Sequence, residues 1–169
     1  MEILIHYAGE VGIKGKNRPF FEKKLLDNIR SSIRKIGFKK LKRSYRYISI
    51  EPENGSNVEK ISQLLKNIPG ISYFSISEVA NLDIEEIKET ALNLAKNSNS
   101  KTFCVTTKRS NKNFNLDSQK VNEIVGDYLT KKLNLKVNLE NHDLVIYIEI
   151  AQDNAYLYTK KIQGLGGLP

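Results

Sequence analysis

The 169 residues predict an α+β fold in two consecutive halves, and three observations carry that expectation. Strand-like and helix-like segments alternate as βαββαβ over residues 1–79 and as αβαβββ over residues 80–163. Each helical segment repeats its apolar residues every three to four positions, the period that keeps one face buried. Each strand-like segment is short, β-branched or aromatic, and bounded by Gly, Pro, Asn or Asp.

The elements follow in order. Ile3–Tyr7 reads as a strand and runs into a glycine-punctuated loop, Gly9–Asn17. A helix from Pro19 to Ile36 presents Phe21, Leu25, Ile29, Ile33 and Ile36 on one face. Asn17 or Arg18 is placed to cap it, Pro19 suits its first turn, and Gly37 is a natural stop. Strands Phe38–Arg43 and Tyr45–Glu51 follow, then a Pro52-Glu53-Asn54-Gly55 turn. A helix from Val58 to Asn67 turns Val58, Ile61, Leu64 and Leu65 inward. Pro69-Gly70 ends it ahead of a strand from Ile71 to Val79. This order is the ferredoxin-like pattern.

In the second half, Asp83 with Glu86 forms an acidic variant of the capping box before a helix through Lys96. Its expected stripe is Ile84, Ile87, Ala91, Leu94 and Ala95. A strand around Cys104 leads to a polar loop, Lys108–Leu116. A helix starting at Asp117 or Ser118 turns Val121, Ile124, Val125, Tyr128 and Leu129 inward. Strands Leu135–Leu139, Leu144–Ile150 and Ala155–Tyr158 close the half, with Asp153-Asn154 at a tight hairpin.

Composition narrows the partner. Residues 1–50 hold thirteen Lys or Arg against four Asp or Glu, while the rest of the chain is nearly balanced. Cations gathered in one segment create a directional field that draws in a polyanion. Nucleic acid leads, with an anionic membrane surface as runner-up. The basic helix has an apolar face committed to folding and the chain has no Trp, which argues against the membrane. No apolar run of spanning length exists, and the start of the chain is too short and polar for a secretory signal. A cytoplasmic location is expected. The single cysteine, Cys104, excludes an internal disulfide and a cysteine-built metal site. In a strand with no neighbouring His it reads as a small core residue.

Candidate binding residues fall in two places. The loop before the first long helix carries Lys14, Lys16, Asn17 and Arg18 at a helix N-terminus, where backbone amides and the helix dipole favour an anion. A Walker loop is not matched, because Gly15-Lys16 is followed by Asn17 and the earlier glycine spacing is wrong. Phosphate-backbone contact is therefore preferred to nucleotide activation, which stays open as a separate enzyme hypothesis. The basic face continues through Lys23, Lys24 and Arg30 along the helix, with Arg34, Lys35 and the strand cations beyond. Tyr45 and Tyr47 are expected on one strand face, as base-stacking or packing residues. The second place is Lys108, Arg109, Asn111, Lys112 and Phe114: cations for phosphates, an amide for a base edge, an aromatic for an unpaired base. Packing of Phe114 into the core is the equal alternative. His6 and His142 stand apart, and no His/Cys/Asp cluster has metal spacing. These residues make the chain a binding module without a catalytic set.

Four segments in order resemble the tRNA 4-thiouridine synthetase (ThiI) family. They are Gly9 to Phe21; Lys108-Arg109 with Lys112 and Phe114 ahead of Ser118-Gln119; Gly126; and Tyr156 to Pro169, ending Gly164-Leu165-Gly166-Gly167-Leu168-Pro169. The chain departs from the family pattern at His6 and Ala8, and at His142. The resemblance implies a ferredoxin-like domain at 1–79, a THUMP domain at 80–163, and a linker at 164–169 leading to a PP-loop domain. It implies tRNA as partner, with the acceptor stem and unpaired 3′ CCA end gripped by the residues above together with the backbone of Gly164, Gly166 and Gly167. It further implies homodimers, no cofactor in this stretch, and ATP with Mg²⁺ in the PP-loop domain. A cysteine desulfurase would supply persulfide sulfur, and some members also serve thiamin thiazole synthesis. The catalytic domain would act in cis or in trans; in the latter case the chain is a stand-alone THUMP protein serving another enzyme.

Overall fold

The computed structural model describes all 169 residues, and the chain divides into two compact units. The first comprises Met1–Ile76 and Lys161–Pro169, and the second Ser77–Lys160. No helix is long and apolar enough to cross a membrane.

In the first unit, β1 (Glu2–Tyr7) leads through α1 (Gly9–Gly12) and a 3-10 turn (Gly15–Asn17) into α2 (Arg18–Ile33). Then come β2 (Phe38–Arg43), β3 (Tyr47–Pro52), α3 (Asn57–Leu65) and β4, which spans Ile71–Ala80 and lends Ile71–Ile76 to this unit. The strand order β2-β3-β1-β4 is that of a ferredoxin-like sheet. β1 and β3 pair antiparallel, with Ile3 opposite Ile50 and Ile5 opposite Ile48. Alternation along both strands sends these four isoleucines to one face, since successive side chains point to opposite sides. There they meet Leu25, Ile29 and Ile33 of α2 and Val58, Ile61 and Leu65 of α3. The expected helix stripes thus supply the core, except that Phe21 stays outside it, half-buried, and Leu64 lies at the surface, 37% exposed.

The second unit takes Ser77–Ala80 from β4 and adds α4 (Ile84–Lys96), β5 (Thr102–Arg109), α5 (Ser118–Lys132), β6 (Lys136–Val137), β7 (Leu144–Ile150) and β8 (Ala155–Tyr158). Its strands run β4-β8-β7-β5-β6. β5 pairs parallel with both β6 and β7, and β7 pairs antiparallel with β8. The parallel pairs need crossovers, and α5 supplies the one between β5 and β6. Ile87, Ala91 and Ala95 of α4 and Val121, Val125 and Leu129 of α5 cover Phe103, Val105, Ile146 and Ile148. Both helices are capped as the sequence suggests: Asp83 accepts from the Glu86 amide (3.3 Å) and Asp117 from the Lys120 amide (2.8 Å). Glu86 reaches back to the Asn81 amide at 2.9 Å, two residues before the N-cap and not to the N-cap amide itself.

Four expectations need correction. Gly9–Asn17 is not an open loop, because α1 and the 3-10 turn occupy it. β3 starts at Tyr47, so Tyr45 sits in the turn and does not share a strand face with Tyr47. The strand expected at Leu135–Leu139 shrinks to two residues. Residues 164–169 do not leave as a linker. A short strand, β9 (Ile162–Gln163), pairs with Tyr73 and Phe74 of β4, and the tail stays on the first unit.

Candidate nucleic-acid interface

On the first unit, the buried stripe of α2 dictates what its outer face shows. With Leu25, Ile29 and Ile33 inward, Lys23, Lys24, Arg30, Arg34 and Lys35 all face water. Only Asp27 meets them, 3.5 Å from Arg30, with both side chains about half exposed (51% and 52%). An ion pair that open contributes at most about 1 kcal/mol and leaves Arg30 able to exchange partners. On the edge strand β2, Lys39 stands 4.0 Å from Glu51 and Arg43 donates to the Pro19 carbonyl at 3.4 Å. Cations on an edge also block strand-to-strand association, so part of this charge serves the fold.

The N-terminus of α2 is built differently from the anion site expected there. The amides of Val11 and Gly12 donate to the Ala8 carbonyl, and those of Ile13, Lys14 and Asn17 to Gly9, Val11 and Lys14. These five donors close helical turns on themselves. Lys16 and Asn17 are exposed, while Lys14 is half-buried with its ammonium 5.6 Å from the Phe21 ring centre. Arg18 is clasped. Its Nε donates to Glu22 Oε1 at 2.6 Å, its Nη2 to the Tyr45 carbonyl at 2.5 Å, and its guanidinium lies 4.3 Å from the Tyr45 ring centre. That is a structural role, not the free phosphate contact expected of it. Tyr7 donates to the Ser44 carbonyl at 3.0 Å. Burial, with nearby Glu22 adding to it, pushes the Tyr7 phenol well above its ordinary range, against the pull of Arg43 and Arg18.

On the second unit, the loop after β5 is folded down. The Ser110 and Asn111 amides both donate to Ile150 O (3.0 and 3.2 Å). Asn111 is buried; its Oδ1 accepts from the Asn113 amide at 3.0 Å and its Nδ2 reaches Gln152 O at 3.5 Å. Its amide is a turn fastener, so the base-edge role expected of it is closed. Phe114 is 9% exposed and belongs to the core. Arg109, half-buried, donates to the Phe114 carbonyl at 3.0 Å. The reason is common to all three: the apolar bulk of Phe114 enters the gap between sheet and helices, and the polar groups around it satisfy the descending backbone. Of the candidate residues predicted here, Lys108 and Lys112 remain at the surface, while Arg109, Asn111 and Phe114 do not.

The glycine segment lies in the first unit. Gly164 N donates to Ser72 O (2.9 Å) and Gly166 N to Ile71 O (2.7 Å). Those amides are committed to β4 and are not open donors for RNA. No cluster of His, Cys, Asp or Glu could hold a metal ion. Sequence reasoning missed the exposed Phe20 (67%) and gave Tyr45 (70%) the wrong setting. The Arg43-Ser44-Tyr45-Arg46 run carried the signal, an aromatic among cations at a strand end.

The fold and the surfaces define a class: a ferredoxin-like domain with a cationic outer helix face, joined to a second α/β domain of balanced charge. Residues 2–75 match the ThiI ferredoxin-like domain and residues 81–160 match the THUMP domain. The chain belongs to the ThiI family. It is 39% identical over 169 residues to a "Probable tRNA sulfurtransferase" of Caldanaerobacter subterraneus subsp. tengcongensis, covering 99% of this chain and 44% of that protein. The chain thus spans less than half the length of that curated relative. Among solved structures, PH1313 from Pyrococcus horikoshii aligns with a TM-score of 0.87 at 30% identity, covering 99% of this chain and 57% of that one. A 4-thiouridine synthetase solved as an RNA complex with bound ATP aligns with a TM-score of 0.80 at 29% identity, covering 100% and 43%.

Proposed function

We propose that this chain is the tRNA-binding region of a tRNA uridine 4-sulfurtransferase. One observation carries the reading: the ThiI ferredoxin-like and THUMP domains follow each other along nearly the whole chain, and all of it aligns with a 4-thiouridine synthetase solved with RNA. The exposed cations of α2, chiefly Lys23, Lys24 and Arg30 with Lys16 beside them, serve the acceptor-stem phosphates. Lys108 and Lys112 serve the unpaired 3′ CCA end.

Cations on mobile stems suit this work because each phosphate they neutralise releases a counterion, giving affinity without demanding a particular base. Activation of the uridine with ATP and Mg²⁺ belongs to a PP-loop domain, in cis or in trans, with sulfur delivered from a cysteine desulfurase persulfide. Homodimer formation, a cytoplasmic location and a contribution to thiamin thiazole synthesis are parts of the same proposal. The test is fluorescence anisotropy of labelled tRNA over a salt series. Expected is a fall of log K with log salt at roughly 0.7–0.9 per neutralised phosphate, so that several contacts give a slope of several units. Absence of binding to tRNA at low salt sinks the proposal.

A further inference from the structure

The turn between β2 and β3 holds out Tyr45 with 70% of its surface exposed, while Tyr47, two residues on, is 8% exposed. An exposed aromatic at a turn is ordinary; the bracing beneath this one is not. The Ser44 amide closes the turn onto Tyr47 O at 2.8 Å, and Tyr7 Oη donates to Ser44 O at 3.0 Å. Arg18 donates to the Tyr45 carbonyl at 2.5 Å and is itself held by Glu22, which is buried. The backbone on both sides of the ring is therefore fixed from the interior by side chains of β1 and α2.

The same Arg18 guanidinium lies 4.3 Å from the Tyr45 ring centre, and Arg46 stands 5.9 Å away. A guanidinium stacked on one face leaves the opposite face and the edge as the exposed area. It also orients the ring without covering it. Glu22 is neutralised by Arg18, and Arg43 adds a third cation at the same end of β2. A flat, apolar, pre-oriented face ringed by positive charge fits one ligand chemistry well: a planar base with a phosphate beside it.

We infer that Tyr45 is a stacking platform for one unpaired base of the bound RNA, with Arg46 taking the adjoining phosphate. The inference rests on the tRNA-binding reading above, and adds to it a contact that no phosphate-tracking lysine provides. Stacking is not ionic, so its loss changes affinity without changing salt dependence.

The experiment compares wild type, Tyr45→Phe and Tyr45→Ala, full chain in each case, by anisotropy on a tRNA transcript and on a blunt, fully paired RNA duplex. Expected for Tyr45→Ala is a rise in the tRNA Kd of roughly 5- to 150-fold, the range for one lost base–aromatic stack. The salt slope stays the same, duplex binding is unaffected, and Tyr45→Phe restores most of the affinity. Wild type that binds no tRNA refutes the general reading. Wild type that binds, with Tyr45→Ala equal to it or weakened equally on tRNA and duplex, overturns this inference alone. It is equally overturned if Tyr45→Ala leaves tRNA binding intact but changes the sedimentation coefficient, which would make the ring a contact between copies of the chain.

Discussion

Replacing Gly164 with alanine puts a methyl carbon 2.4 Å from Ile71 O, 2.7 Å from Ile71 Cγ2 and 2.9 Å from Ile71 C. Two of those atoms are backbone of β4, paired within the sheet, and cannot turn aside as a side chain could. The tail must lift instead. Lifting endangers three backbone hydrogen bonds: Gly164 N to Ser72 O at 2.9 Å, Gly166 N to Ile71 O at 2.7 Å, and Gly70 N to Gly166 O at 2.9 Å. At a net ~0.5–1.5 kcal/mol each, their loss costs between about 1.5 and 4.5 kcal/mol, reduced by the freedom the released residues regain. Forcing a methyl into a packed site costs about 1–3 kcal/mol by itself. The two routes agree on about 2–3 kcal/mol for Gly164→Ala.

Urea unfolding, with a slope of roughly 1–3 kcal/mol per molar, converts that into a midpoint drop of about 1 M or more. Hydrogen exchange at the Gly164 and Gly166 amides should accelerate, and trypsin should cut sooner at Lys160 and Lys161, which are exposed. Gly167→Ala is the control: its φ of 73° strains an L residue, but no atom lies within 4 Å of the added carbon. That strain alone is worth about 1 kcal/mol. If Gly164→Ala is no less stable than Gly167→Ala and its tail amides exchange at the wild-type rate, the clash is not where the geometry puts it.

Lys23→Gln and Lys24→Gln should leave unfolding midpoints unchanged and each lower the tRNA salt slope by roughly 0.7–0.9; unchanged slopes would remove α2 from the interface. Phe114→Ala should cost about 3–5 kcal/mol in chemical denaturation as a core cavity, and Phe114→Leu under about 1.5 kcal/mol. A stable Phe114→Ala that loses only tRNA affinity would restore the stacking role. Tyr7→Phe tests the raised phenol. A group whose folded pKa exceeds its unfolded value contributes fully below the unfolded pKa of about 10 and loses that contribution as pH rises beyond it. The stability gap between wild type and Tyr7→Phe should thus be constant from pH 7 to 9 and shrink above about pH 10, by no more than about 1.4 kcal/mol per unit. A gap that does not change up to pH 11 counts against it.

Periodic burial was readable from residues alone. Leu25, Ile29 and Ile33 are each 0% exposed, as the three-to-four spacing demands. Asp83 and Asp117 cap the helices their positions announce. Local composition misled where a long-range contact decides the outcome. Gly9–Asn17 looks like a loop, yet Val11 is 0% exposed and the Ala8 amide is tied to Gly70 O at 2.8 Å, which winds the segment into turns. Phe114 sits in a polar stretch that leaves stacking and core packing evenly matched, and its place in the core of the second unit decides for packing. Arg18 reads as a phosphate contact, although its 2.6 Å pair with Glu22 is mostly shielded. β9 has two residues and a partner strand far back along the chain, so nothing nearby marks it.

That last strand makes the first unit discontinuous: residues 77–160 are, in topology, an insertion within it. During synthesis the β4 edge at Tyr73 and Phe74 stays bare until the very last residues described here emerge, because only Ile162 and Gln163 pair with it. A bare edge invites foreign strands. A polypeptide cut at Ile76 would keep every helix of the ferredoxin-like half and still lack its clasp. It should be more prone to aggregate than one in which residues 161–169 are rejoined through a short glycine-serine bridge.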